Sequence, residues 1–436
     1  MTNMDYGEAE SYLLEIPRFT RKNAPEDTAA FLRRLGEPGK EKTIIHIAGT
    51  NGKGSVCAYL SSVLQKGGYR VGMFTSPHLV TMRERFRING ELMPEADFVR
   101  YLESICSLLQ DRKGSGAYHP TFFEMLFFMG MLYFEEQNAE VILLETGLGG
   151  RLDATNSVSQ KDLCIITRIG MDHMEYLGWS VSEIAGEKAG ILQEGVPVVA
   201  ADSGKESSFV IAERAQELSC PLFFVSKRDI RNLEFHKNFI DFSFDSRYYG
   251  YIRYSLTTFA SYQVENAALA LRALDVLADR LPVSVEALTR GMRDARWEGR
   301  MEEIRPGIYL DGAHNVDGIR AFLDAAGRDG SVGRRFLLFS AVQDKQFPEM
   351  ARMLTDSGLF DRIFVTEIQN ARSLSRQCLE EVFHATGVEQ IEGFANSQNA
   401  WKVLLREKLS DDRVYIAGSL YLAGEIKGCL MRKEYD

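Results

Sequence analysis

Short, mostly apolar runs alternate along the chain with longer segments in which apolar residues return every three or four positions. The runs at 43–48, 70–74, 141–145, 163–168 and 196–201 have the composition of strands covered on both faces. Between them, 55–65, 121–137 and 180–192 have helical length and spacing. This alternation predicts an α/β fold with a mainly parallel sheet. The stretch 233–257 breaks the pattern, with two β-like runs around Asp245-Ser246-Arg247, and reads as an antiparallel excursion at the sheet edge. After a helix pair at 262–280 and 284–293, a second α/β series begins, with strands at 307–310, 335–340, 362–365 and 413–416. A boundary near Arg296 follows, giving a large N-terminal domain, 1–296, and a smaller Rossmann-like α/β domain, 297–436. No Pro/Gly/Ser-rich linker marks the boundary, and no internal repeat is present.

Composition narrows the partners. The 436 residues are 45% hydrophobic and 26% charged, which fits a globular protein with a sizeable core. With 51 Lys and Arg against 61 Asp and Glu, the net charge of −10 argues against a nucleic-acid binder, although local charge, metal ions and backbone N–H groups can still hold small anions. Six scattered cysteines without a C-x-x-C pair read as reduced thiols. The acidic N-terminus lacks a secretory pattern, and the longest apolar stretch, 122–134, contains Glu124 and falls short of the about 20 residues a membrane span needs. The expectation is a cytoplasmic protein with no membrane partner.

The chemistry begins at Gly49-Thr50-Asn51-Gly52-Lys53-Gly54-Ser55, which runs from a predicted strand into a predicted helix. Glycines let successive N–H groups face one phosphate, the helix N-terminus adds positive potential, Lys53 supplies a mobile charge, and the Ser55 hydroxyl can ligate Mg²⁺. The spacing departs from G-x-x-x-x-G-K-[ST], because two residues separate Gly49 from Gly52 and Gly54 precedes Ser55. A generic turn would explain the glycines but neither the lysine nor the serine. The first domain is therefore expected to be of P-loop type.

This loop resembles that of the Mur ligase family, in its folate branch of folylpolyglutamate synthases and bifunctional dihydrofolate synthases. Five further segments carry the resemblance in order: Ser76-Pro77-His78-Leu79, Glu145 to Asn156 (ETGLGGRLDATN), Asp172 to Gly178 (DHMEYLG), Glu187-Lys188-Ala189-Gly190-Ile191 and Asp311-Gly312-Ala313-His314-Asn315. They span both halves of the chain.

The resemblance implies an ATP site made by Asn51, Gly52, Lys53, Gly54, Ser55, Asn266, Arg300 and Asp311. It implies Mg²⁺, two ions, held by Ser55, Ser76, Glu145, His173 and Lys188, with Lys188 carbamylated, and it leaves a monovalent cation open. Catalytic roles fall on Lys53, His173, Lys188 and His314. For a pterin-bearing substrate it points to Thr121, Phe122, Phe123, Glu124, Leu152, Asp153 and Ala154. From the residues alone, plainer readings stand beside these. His173 can be a hydrogen-bonded surface histidine and Lys188 a solvated lysine paired with a carboxylate. Asn266, Arg300 and Asp311 can be a helix cap, a surface ion pair and a turn residue, and the phenylalanines can be core. Glu124 is harder to explain, since an unpaired buried carboxylate is costly. Arg83, Arg85 and Arg87 read as solvated loop charge, or as an attraction for an acidic tail. Glu298 stands before Gly299 where many relatives carry proline.

The implied activity is an ATP-dependent ligase that phosphorylates a carboxylate of a folate or dihydropteroate and joins it to L-glutamate through an acyl phosphate. The expected partners are those small molecules, and the resemblance implies a monomer, which no sustained heptad seam contradicts. Two rival readings are a Mur-type ligase acting on a UDP-muramoyl precursor and an ATP-binding regulatory protein with a decayed site. Only about 40 residues precede the phosphate loop, which is short for an added UDP-binding domain.

Overall fold

The computed structural model describes residues 4–16, 23–110, 118–388 and 390–431. Its first sheet has eight strands: β1 (Thr43–Ala48), β2 (Val71–Phe74), β3 (Phe86–Ile88), β4 (Glu91–Leu92), β5 (Val141–Glu145), β6 (Leu163–Ile166), β7 (Val198–Ala201) and β8 (Leu222–Val225), in the order β4-β3-β2-β5-β1-β6-β7-β8. The pairs from β2 to β8 are parallel, and only β3 and β4 run antiparallel to their neighbours. Every residue of β1, β2, β5, β6 and β7 is buried, which explains the continuous apolar runs.

Alternation along β1 feeds two cores. Ile45 and Ile47 pack with Val56, Leu60 and Val63 of the helix Lys53–Lys66 and with Leu274 of the helix Tyr262–Val276. Ile44 faces the other layer, with Phe127, Phe128 and Met131 of the helix Phe122–Glu136. Each such aliphatic side chain contributes about 1.5–3 kcal/mol by leaving water. The sheet therefore holds the ends of β1 and β5 rigidly, and Ile47 lies directly opposite Glu145.

The stretch expected as an edge excursion is instead a separate three-stranded antiparallel sheet, β9 (Ile230–Phe235), β10 (Ile240–Ser246) and β11 (Gly250–Leu256), in the order β11-β10-β9. Ile240, Phe242, Phe244, Tyr254 and Leu256 join the core around the helix Tyr262–Val276, while β9 stays largely exposed. Ser246 pairs with Gly250, so the turn lies at 247–249, just beyond the expected position.

A six-stranded sheet follows, with β12 (Glu302–Arg305), β13 (Ile308–Leu310), β14 (Arg335–Phe339), β15 (Arg362–Thr366), β16 (Ile391–Phe394) and β17 (Arg413–Ala417) in the order β12-β13-β17-β14-β15-β16. All its pairs are parallel except β12 with β13. The two parallel-rich sheets match the α/β expectation. Strands β12 and β16 were not legible because they lie at the edges, half-buried and interrupted by charge or glycine. Among the described residues no helix is long and apolar enough to cross a membrane.

Candidate active site

The loop after β1 enters its helix through Gly52, whose φ of 98° is open to glycine and strained for other residues. A Cβ there would lie 2.3 Å from Asn266 Oδ1, and one on Gly54 would lie 2.6 Å from Trp297 Nε1. No side chain caps the helix, so the N–H groups of its first turn face outward as an anion cradle. Lys53 folds back over this cradle. Its Nζ donates to the carbonyls of Gly49, at 3.1 Å, and Thr50, at 3.4 Å, and stands 3.9 Å from Glu145 Oε1.

Glu145 closes β5 beside the loop, and its carboxylate accepts from the Ser76 N–H at 3.2 Å. Burial pushes its pKa up, against the lowering exerted by Lys53, the Ser76 N–H, Arg300 and Arg85. Ser55 Oγ accepts from Gln263 Nε2 at 3.2 Å. From the opposite side the buried Lys188, on the helix Val181–Ala189, donates to the Gly49 carbonyl at 2.8 Å. Burial first, then the like charge of Lys53, lowers the Lys188 amine to about 7. The solvated reading of Lys188 is thus excluded, and Gly49 becomes the point at which both lysines meet.

His173 caps a short helix, Met174–Leu177, in a left-handed conformation with φ 52°. Partial desolvation and the charges of Lys345, His314 and Lys53 lower its pKa against the opposing pull of Asp172, so its ring is neutral near pH 7 and can serve as a ligand. Its neighbour Asp172 reaches into the C-terminal part of the chain. Asp172 Oδ1 accepts from Lys345 Nζ at 2.5 Å and Oδ2 from Asn315 Nδ2 at 3.0 Å, with His314 Nε2 at 3.6 Å. Burial opposes its ionisation, but His314, His173 and Lys345 hold the carboxyl well below the usual carboxylate range. His314 Nδ1 is fixed against the Gly312 carbonyl at 2.7 Å. Asn51 and Asn315 exchange side-chain hydrogen bonds of 3.3 and 3.2 Å, bringing the second sheet's loop onto the phosphate loop.

Asn266 is buried, with its Nδ2 on Gln263 Oε1 at 3.1 Å. Arg300 Nη1 donates to the Gly299 carbonyl at 2.8 Å. Asp311, expected at ribose hydroxyls, already accepts from Tyr262 Oη at 2.6 Å, the Met301 N–H at 2.9 Å and the Ala313 N–H at 2.8 Å. As found it fastens the loop that carries His314.

The substrate candidates separate. Glu124 is buried but not unpaired: its carboxylate accepts from Thr28 Oγ1 at 2.6 Å, Asn23 Nδ2 at 2.7 Å and the Thr121 N–H at 2.7 Å. Together with the Thr121 hydroxyl it forms the capping box of its helix. Phe122 belongs to the core, beneath the Arg85 guanidinium at 5.8 Å. Phe123 is the ring that remains half-buried against the glycine-rich loop, where a Cβ on Gly147 would meet it at 2.6 Å. Asp153 is buried and shapes that loop by accepting from the Gly147 and Leu148 N–H groups, both at 2.9 Å. Leu152 is exposed and Ala154 packs at the core's margin. Arg83, Arg85 and Arg87 are partly or fully buried rather than loose in solvent. They bind Glu95, His78 and Glu298.

Sequence reasoning missed Asp172, Asn315 and Lys345 as one cluster. The first two lay inside quoted motifs, and their adjacency to the histidines was the available signal. Lys345 lies 173 positions beyond Asp172 and carries no local signature.

Two family matches cover most of the chain: the Mur ligase middle domain at residues 47–274 and the Mur ligase glutamate ligase domain at 299–420. A dihydrofolate synthase/folylpolyglutamate synthase of Bacillus subtilis is 34% identical over 432 residues, covering 97% of this chain and 98% of that protein. The structure of E. coli FolC in complex with DHPP and ADP superposes with a TM-score of 0.86 at 27% identity, covering 99% of both chains. A Mycobacterium tuberculosis folylpolyglutamate synthase with ADP gives 0.88 at 26% identity, covering 97% of both chains.

Proposed function

The chain belongs to the Mur ligase family, and from that premise we propose that it is an ATP-dependent, ADP-forming ligase that joins L-glutamate to a folate. The observation that carries this reading is the meeting of Lys53 and Lys188 on the Gly49 carbonyl, with Glu145 and the Ser76 N–H beside Lys53, beneath an open helix N-terminus. The relatives that span the whole chain act on folates, which favours that acceptor over a UDP-muramoyl precursor. The finer assignment is tetrahydrofolate, dihydropteroate or both as acceptor.

The first-turn N–H groups and Lys53 would bind the terminal phosphates and spread the charge of the transferring phosphoryl group. The substrate carboxylate is itself the nucleophile. It attacks the γ-phosphorus, ADP leaves, and the glutamate amine then displaces phosphate from the acyl phosphate with loss of a proton. Asn266 and Arg300 would flank the nucleotide, and the Asp311-anchored loop would carry His314 to the reacting phosphate. Phe123 and Leu152 would offer an apolar wall to a flat heterocycle.

The donors fit Mg²⁺: a buried carboxylate with only partial compensation, two serine hydroxyls and a neutral imidazole. Ser55, Ser76, Glu145 and His173 would hold it, where it would neutralise phosphate charge. Lys188 is proposed to be carbamylated. Its neutral amine adds CO₂ to give a carbamate and a proton, turning a buried cation into an anionic ligand for a second ion. The division at 296/297 is supported by β11 and β12 lying on either side of it. A cytoplasmic monomer completes the proposal.

The test is ADP release with ATP, Mg²⁺ and L-glutamate, comparing dihydropteroate, tetrahydrofolate and a UDP-muramoyl peptide. Release with either of the first two is expected. Release only with the third, or with none while ATP still binds, would overturn the reading.

A further inference from the structure

A second concave, charged feature lies away from the phosphate loop. Between β10, the segment leading into β9 and the helix Tyr262–Val276 there is a cavity of about 290 Å³, lined by Arg228, Arg231, Arg247 and Arg272 with Asp229 and Asp245. Arg272 lies nine residues along the helix from Gln263, which touches Ser55, so about 14 Å of helix separates the two sites.

Of the cavity's two carboxylates, Asp229 is already engaged. Asp229 accepts from the Ser226 N–H at 2.8 Å and Oγ at 2.9 Å, and lies 3.6 Å from Arg272. Behind the floor, Asp275 takes Arg272 at 2.7 Å, Ser246 Oγ at 2.5 Å and the Tyr248 N–H at 2.7 Å. Asp245 is exposed at the rim. Arg228, Arg231 and Arg247, by contrast, have no carboxylate partner within 4 Å among the described residues. Arg247 is held over the Phe223 ring at 5.4 Å, and Arg231 lies opposite Ser243 on the neighbouring strand. Solvated arginines are ordinary on a surface. Three without acid partners, converging on one cavity above a neutralised fourth in a protein of net charge −10, form a local positive field against the average.

We propose that this cavity is a second anion site, separate from the nucleotide site, that takes a small multivalent oxyanion. Guanidinium forks match the planar or tetrahedral oxygens of carboxylate and phosphate alike, and three of them around one cavity suit a ligand with two or more charged groups.

The experiment is calorimetric titration of the full chain, saturated with ADP in magnesium-free buffer so that the phosphate loop is filled. One arm uses pyrophosphate and the other citrate. Saturable submillimolar binding of either anion is expected. Pyrophosphate alone assigns the site to phosphates, citrate alone to polycarboxylates, and both to multivalent oxyanions generally. Arg231→Gln with Arg247→Gln should weaken that binding at least tenfold while ADP affinity is unchanged. If the double variant loses ADP as well, the exposed Arg228→Gln decides by the same loss of anion binding. Absence of saturable binding in both arms, or binding that the substitutions leave unaltered, would overturn the proposal.

Discussion

The two sides of the site are built differently. The N-terminal side is a set of short-range constraints, in which β1 and β5 hold the loop and Glu145 in register, glycines admit close neighbours, and both lysines bond to one carbonyl. The C-terminal side reaches it through polar contacts, Asn51 with Asn315, Asp172 with Lys345 and Asn315, Tyr262 with Asp311 and Arg87 with Glu298, beside an apolar seam of Leu79, Phe259 and Ala260. The first is packed and preformed. The second adds long-range polar pairs to a small apolar seam, where Phe259 and Ala260 join the C-terminal core, and those pairs suit an enzyme whose reactants must be aligned and shielded from water.

If that contrast is right, damage to the preformed side should remove chemistry, and damage to the contact side should remove alignment. Lys53→Ala is expected to lower ADP release by about a thousandfold, as loss of a charge-stabilising donor does, with unchanged circular dichroism. Near-normal turnover would refute the phosphate-loop reading. Asp172→Ala comes next. It leaves Lys345, nearly buried, without its counter-charge, and removing one member of a buried pair costs about 3 kcal/mol. Urea titration should register that loss, and turnover should fall about tenfold or more while ADP affinity stays near normal. A variant as stable and active as the parent would mean that the cluster is not a docking contact.

The same contrast explains what the sequence made legible. The preformed side is local: a strand, three glycines, a lysine and a serine lie within thirteen residues, and β5 announces Glu145 by an unbroken apolar run. The docking side depends on Lys345 meeting Asp172, which no period or spacing encodes. The pairing of Glu124 was hidden for a related reason. Its burial was visible from the apolar helix, but the partners that satisfy it, Thr28 and Asn23, lie about a hundred positions earlier. Strands β12 and β16 escaped because edge strands lack the continuous apolar signal on which the interior strands rely.

Lys188 tests the preformed side by pH. An amine lowered to about 7 is protonated and unreactive below that pH and neutral above it, so addition of CO₂ should rise as pH increases through 7. With ¹³C-bicarbonate, a carbamate resonance is expected at pH 8, diminished at pH 6 and absent in Lys188→Ala. Turnover should fall about severalfold on bicarbonate depletion and return on its addition. Equal labelling at both pH values, or full activity without bicarbonate, would contradict the carbamylation proposal.

The smallest expected effect comes from Glu298, which touches only the docking side. It pairs with Arg87 at 3.0 Å and with Lys427 at 2.7 Å, while Lys427 keeps a second partner in Glu302 at 2.9 Å. Because Glu298 is 40% exposed, water screens both pairs, and Glu298→Gln should cost about 0.5 kcal/mol at most. Arg87 also lies over the Trp297 ring at 5.8 Å, and that indole closes on Gly54 of the phosphate loop. A freed Arg87 therefore loosens the wall of the proposed nucleotide site rather than its floor. KM for ATP should rise about two- to threefold with kcat nearly constant, the pattern of lost uniform binding. A fall in kcat at constant KM would instead place Glu298 in the aligned, reacting state and blur the division between the two sides.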